Sequence, residues 1–147
     1  MVLFATLSRA TPHITVSTST SVDSATVHPG AAVKLFVDVT PDAKIRLYAP
    51  GAKDYLPVAL QLSPPPAGVR AGKQTYPASQ DWYFAPLKEH VPVYQASFRV
   101  TQEVVIAASA KRGQSLTIQG VFKYQACDDT ICYTPASAPV SWTVNVK

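Results

Sequence analysis

The chain has 147 residues, 47% of them hydrophobic and 15% charged, with a formal charge of +4; this composition argues against a disordered chain and supports one packed domain. No run of 18 or more apolar residues occurs, so no helical span and no direct membrane insertion is expected of this sequence. The basic residues, among them Lys34, Lys44, Arg46, Lys53, Arg70, Lys73, Lys88 and Arg99, are scattered singly. They read as a solvated, mixed surface rather than a nucleic-acid groove.

In chain order, Met1 to Arg9 is apolar but lacks a basic leader and a full apolar core. Residues 1–12 are read as a leader remnant or an artificial start, with the domain in 13–147. Alternation of apolar and polar residues then predicts strands. The first covers 13–19. In the second, Val33, Leu35, Val37 and Val39 alternate with Lys34, Phe36 and Asp38, and shorter strands follow at 44–48 and 56–62. Residues 63–87 show no clear alternation and combine prolines with Tyr76, Trp82, Tyr83 and Phe84; a long functional loop is expected there. Tyr94, Ala96, Phe98 and Val100 mark the next strand, and 104–108 and 115–126 two more. In the last, Val140, Trp142, Val144 and Val146 point one way, with Trp142 in the core. Thirteen prolines leave few windows for a helix, and turn signals such as Pro29-Gly30, Pro50-Gly51 and Gly113 separate the segments. About eight short strands of this kind predict an all-β antiparallel sandwich.

The two cysteines, Cys127 and Cys132, lie five positions apart at the end of the strand over 115–126. This spacing favours one short disulfide loop, and an even count fits an oxidising compartment. In the chain-entropy model a loop of about six residues stabilises by about 2 kcal/mol, against about 4.7 for one of about 100. A domain of this size does not need such a staple. Redox chemistry is therefore the sharper reading, beside the plainer one of an inert hairpin bridge. Extending the inward phase of Leu116, Ile118, Phe122 and Tyr124 to Ala126 turns Cys127 to the opposite face, at the sandwich rim. Asp128 and Asp129 supply the turn, and by like-charge repulsion they are expected to disfavour a thiolate on Cys127. His13, His28 and His90 are dispersed and no metal site is expected; reduced thiols handling a metal is a weaker third reading. No serine carries a nucleophile signature.

The strand end Tyr124-Gln125-Ala126-Cys127, the acidic Asp128 that follows, and the exit Cys132-Tyr133-Thr134-Pro135 resemble the N-terminal periplasmic domain of the thiol:disulfide reductase DsbD. Pro29-Gly30 before an alternating strand and Tyr55-Leu56-Pro57-Val58 are similar to that family as well. The resemblance implies an immunoglobulin-like sandwich of about eight strands with a long cap loop, acting without a cofactor in the bacterial periplasm. Any tether would run through a membrane segment outside this sequence. It implies thiol–disulfide exchange, with a thioredoxin-like domain or transmembrane reductase as electron donor and other periplasmic disulfide proteins as acceptors. By motif position, Cys132 forms mixed disulfides and Cys127 closes or resolves the internal bridge, flanked by Tyr124, Asp128, Asp129 and Tyr133. The family's cap precedes a strand tyrosine matched by Tyr94, so the cap falls among Trp82, Tyr83, Phe84 and Leu87, with Phe84 as the shielding side chain. Four residues separate the cysteines here, where the best-known members have five. The alternative is a non-catalytic immunoglobulin-like binding module whose disulfide pins a hairpin.

Overall fold

The structure, a computed structural model, describes residues 11–22 and 25–147. The reading of a leader at residues 1–12 thus falls outside the described residues except at Thr11 and Pro12. The fold is all-β, with strands β1 (Ile14–Thr20), β2 (Thr26–Val27), β3 (Ala32–Pro41), β4 (Arg46–Tyr48), β5 (Ala59–Leu62) and β6 (Val69–Thr75). The chain continues through β7 (Gln80–Phe84), β8 (Glu89–Tyr94), β9 (Phe98–Ile106), β10 (Ser115–Tyr124), β11 (Ala126–Cys127) and β12 (Ala136–Val146). Three sheets result, with strand orders β1-β3-β9-β6, β2-β12-β10-β5 and β11-β4-β8-β7. Pairing is antiparallel except for the short β2, which runs parallel to β12.

The main core forms where the alternating faces of the first two sheets meet. Val33, Leu35, Val37 and Val39 of β3 are buried with Leu116, Ile118 and Phe122 of β10 and Val140, Trp142 and Val144 of β12. Each such side chain, fully buried, contributes about 1.5–3 kcal/mol of transfer free energy. The Trp142 indole also donates to the Phe36 carbonyl at 3.0 Å, which satisfies its polar edge. Gly120 lies where β10 is flanked by β5 and β12. A Cβ there would stand 2.7 Å from the Gln61 carbonyl oxygen, so the close strand approach requires glycine.

The expected loop over 63–87 is instead two strands, β6 and β7, each at the edge of its sheet. An edge strand keeps most side chains in solvent, so Val69–Thr75 carries no apolar alternation to detect. Its register slips between Ala71 and Gln74. The buried Gln102 fills that irregularity by donating to the Gly72 and Glu103 carbonyls, while the Gln74 amide donates to Gln102 Oε1 at 3.0 Å. Tyr76 belongs to this network, donating to Gln74 and accepting from the Leu60 backbone. The strand expected through Tyr94 and Phe98 is split as well, because the chain leaves the third sheet at Tyr94 and enters the first at Phe98.

The third sheet is apolar on both faces, which is what positions the cysteines. Leu47, Tyr94 and Ala126 turn toward the main core. Tyr48, Val91, Val93 and Cys127 form a second cluster with Ala52, on which Tyr55 and Trp82 pack. No helix among the described residues is long and apolar enough to cross a membrane.

Candidate functional site

β10 delivers the chain to the third sheet, where the two-residue β11 pairs with β4 in the register Ala126 to Leu47 and Cys127 to Arg46. The Tyr124 hydroxyl fixes the strand end by donating to the Pro12 carbonyl at 2.7 Å. The loop after Cys127 is shaped by Asp128. Its carboxylate accepts from the Thr130 and Ile131 backbone N–H groups at 2.7 and 2.8 Å and from the Tyr133 hydroxyl at 2.6 Å. This is the side-chain turn chemistry for which aspartate is favoured. The three donors, Tyr133 first, hold the Asp128 carboxyl down at about 2, and the same bond pushes the Tyr133 hydroxyl up.

Backbone bonds from Asp128 N–H to the Ile131 carbonyl and from Tyr133 N–H to the Ala126 carbonyl flank the cysteines. Cys127 and Cys132 therefore face each other as a non-hydrogen-bonded antiparallel pair, the arrangement in which Cα atoms come closest. Their Cα atoms are 4.0 Å apart and the sulfurs are bonded. The two ends of the bridge differ in access. Cys127 is 1% exposed, whereas Cys132 lies in the exposed loop.

Two side chains of β4, on the same face as Cys127, complete the surroundings, and sequence reasoning missed both. The Tyr48 hydroxyl lies 3.4 Å from Cys132 Sγ and 3.5 Å from Cys127 Sγ. Disulfide sulfurs carry no proton, so the hydroxyl is the donor. Burial pushes the Tyr48 hydroxyl up, against a lowering influence of Arg46, and keeps it a donor at neutral pH. Its ring stacks on Tyr55 at 4.4 Å, and Tyr55 donates to Glu89 at 3.0 Å.

Arg46, expected on a solvated surface, is 6% exposed. Its guanidinium donates to the Asp129 carboxylate at 2.9 Å and the Asp128 carbonyl at 2.8 Å, and stacks over the Trp82 ring at 3.6 Å. This alters the expected repulsion of a Cys127 thiolate by the acidic pair. Asp129 is paired with a buried cation, and Asp128 is engaged by its own loop. The signal available in the sequence was the alternation of Arg46 and Tyr48 around Leu47, which places both on one face.

The residues expected to cap the disulfide lie on a hairpin, β7 and β8 joined by a 3₁₀ turn at Ala85–Leu87, rather than on a loop. Trp82 and Phe84 share a face and stack at 5.2 Å. With Arg46, Tyr48, Ile131 and Cys132 they line a cavity of about 220 Å³. Tyr83 turns to the other face against His90 at 4.8 Å, and Leu87 is 65% exposed; neither lines the cavity. Phe84 thus borders the space beside Cys132 without sealing it. Among the described residues no group of three or more His, Cys, Asp or Glu is placed to hold a metal.

The sequence profile of the family described as thiol:disulfide interchange protein DsbD, N-terminal, matches residues 17–141. The chain belongs to this family. The N-terminal periplasmic domain of ScsB from Proteus mirabilis has a similar structure, with a TM-score of 0.58 at 12% identity over 92% of this chain and 47% of that one. The likeness is one of fold, in keeping with the expected immunoglobulin-like sandwich, and this chain spans about half the length of the ScsB chain. The GAE domain of yeast GGA1 is similar at a TM-score of 0.47 and 11% identity, over 91% of this chain and 94% of that one. No curated protein sequence matches this chain. Membership of the DsbD N-terminal family and the bonded cysteine pair together support a thiol–disulfide exchange domain.

Proposed function

We propose that this domain carries reducing equivalents in the periplasm through the Cys127–Cys132 pair, from a thioredoxin-like domain or transmembrane reductase to other disulfide proteins, without a cofactor. The observation that carries the reading is the unequal access of the two sulfurs: Cys132 is exposed, and Cys127 is buried in the cluster on which Trp82 packs. A partner reaches Cys132 and not Cys127, so the mixed disulfide forms at Cys132.

To load the domain, a donor thiolate attacks Cys132 Sγ. The internal bond breaks with its electron pair leaving on Cys127, and a donor–Cys132 disulfide forms. The donor's second thiolate then attacks its own bridged sulfur. This leaves the donor oxidised and Cys132 as a thiolate, and both domain sulfurs take protons from solvent. Delivery runs the same steps in reverse: the Cys132 thiolate attacks the acceptor disulfide, and Cys127 resolves the product. The β7–β8 hairpin, with Trp82 and Phe84 at the cavity, serves as the cap in this reading. Tyr124, Asp128, Asp129 and Tyr133 hold the loop rather than react.

The test is trapping. Reduced Cys127→Ser, mixed with a thioredoxin-like protein that lacks its resolving cysteine and carries the remaining one as a thionitrobenzoate disulfide, displaces thionitrobenzoate and accumulates a mixed disulfide through Cys132, whereas Cys132→Ser does not. Equal trapping by the two variants would defeat the assignment of roles.

A further inference from the structure

Arg46 is the only buried charge among the described residues, and its compensation is uneven. The Asp129 carboxylate that pairs with it is 81% exposed, against 8% for the arginine side chain, so solvent screens the counter-charge more than the cation it serves. The second partner is a neutral carbonyl, the third is the face of Trp82, and the buried Nε has no partner at all. A buried cation held this way has unused capacity to stabilise a nearby anion.

The anion is supplied by the exchange chemistry. Cys127 is the register partner of Arg46 across β4 and β11, and directly opposed side chains of an antiparallel pair project from one face with Cβ atoms about 4.5–5.5 Å apart. When the bridge opens, the electron pair goes to a sulfur that is 1% exposed, where desolvation opposes charge.

We propose that Arg46 is the counter-charge for Cys127, compensating the negative sulfur each time the Cys127–Cys132 bond opens or closes. The proposal rests on the exchange reading above and assigns a positioning residue for it. As the donor thiolate bonds to Cys132, the guanidinium neutralises the departing Cys127 thiolate until a proton arrives from solvent. In the reverse direction it keeps Cys127 deprotonated for attack on Cys132 as the partner sulfur leaves with its electron pair.

Other charged or titratable groups face the same sulfur or its surroundings. Tyr48 on β4 donates to it, and Asp128 and Asp129 lie on the loop. Glu89 on β8 is held by Tyr55, and Lys44 shares a cavity rim with Arg46 and Asp129. The three carboxylates favour the protonated thiol, while Arg46 and Lys44 oppose them. His90 and Asp81 pair with each other on the exposed face of the hairpin.

The test uses Cys132→Ser, in which Cys127 is the single thiol, and follows its ultraviolet thiolate absorbance against pH, which needs no reagent to reach the buried sulfur. Adding Arg46→Gln is expected to raise the midpoint by about one pH unit, which is about a tenfold smaller thiolate fraction well below the midpoint. The plateau at high pH stays unchanged, and Arg46→Lys restores most of the shift. Asp129→Asn, which removes the competing anion and leaves the arginine in place, moves the midpoint the other way and serves if Arg46→Gln does not fold. An unmoved midpoint in these variants, or a changed plateau without a shift, overturns the proposal. The titration needs no partner protein, so such a result leaves the exchange reading standing; that reading fails separately, on trapping.

Discussion

Replacing Tyr48 with phenylalanine isolates one hydroxyl at the centre of the site. The ring is 4% exposed and stacks on Tyr55 at 4.4 Å, and Tyr48→Phe keeps both the volume and the stack, so no cavity cost arises. What is lost is a donor at 3.4 Å from Cys132 Sγ and 3.5 Å from Cys127 Sγ. A hydrogen bond to a neutral group contributes about 0.5–1.5 kcal/mol and one to a charged group about 1.5–3. The hydroxyl therefore favours thiolate over thiol or disulfide by about 1–1.5 kcal/mol. Removing it raises the pKa of the exposed thiol by about one unit, at 1.36 kcal/mol per unit. At pH above that pKa the reduced state is less stabilised, and the reduction potential falls by about 20–30 mV. The assay is the pH dependence of Cys132 alkylation in the Cys127→Ser background, with and without Tyr48→Phe. A midpoint that does not move would show that the hydroxyl serves packing alone.

Three further outcomes follow from the geometry. Phe84→Ala speeds reaction of the disulfide with small thiols, though modestly, because Phe84 borders a cavity of about 220 Å³ beside an already exposed Cys132; an unchanged rate removes Phe84 from the site. Gly120→Ala destabilises the domain by about 1–3 kcal/mol or more in urea unfolding, since its Cβ meets the Gln61 carbonyl at 2.7 Å; a neutral result would contradict the close approach of β5 and β10. The Asp128 carboxyl sits at about 2 against its ordinary 3.8, so the native state binds that proton more weakly than the unfolded chain. Its contribution is complete above about pH 4 and is lost as pH falls through 2. Urea midpoints of Asp128→Asn should lack this acid-dependent component, and an identical acid slope in the two proteins would refute it.

The long strands that bury one face were legible in the sequence, and the edge strands that bury little were not. β3, β10 and β12 announce themselves because a half-buried strand must alternate, as Val33 to Val39 and Val140 to Val146 do. β6 and β7 sit at sheet edges: β6 buries almost nothing, and in β7 only Trp82 and Phe84 turn inward, too short an alternation to read as a strand. The cysteine loop was legible because its determinants are local: Asp128, Tyr133 and both sulfurs lie within seven residues. Tyr48 lies 84 positions from Cys132 and meets it only through the pairing of β4 with β11. Arg46 escaped for a related reason. A single arginine in a short strand reads as a surface charge until the other face of its sheet is found to be packed too.

An exchanging Cys127–Cys132 pair is set apart from a fixed bridge by how readily it is reduced. Its reduction potential, measured by equilibration in thiol buffers with mass counting of alkylated cysteines, tests this most directly. A value above about −250 mV, among exchange-competent pairs, is expected, and a value below about −300 mV would mark a structural disulfide and overturn the exchange reading.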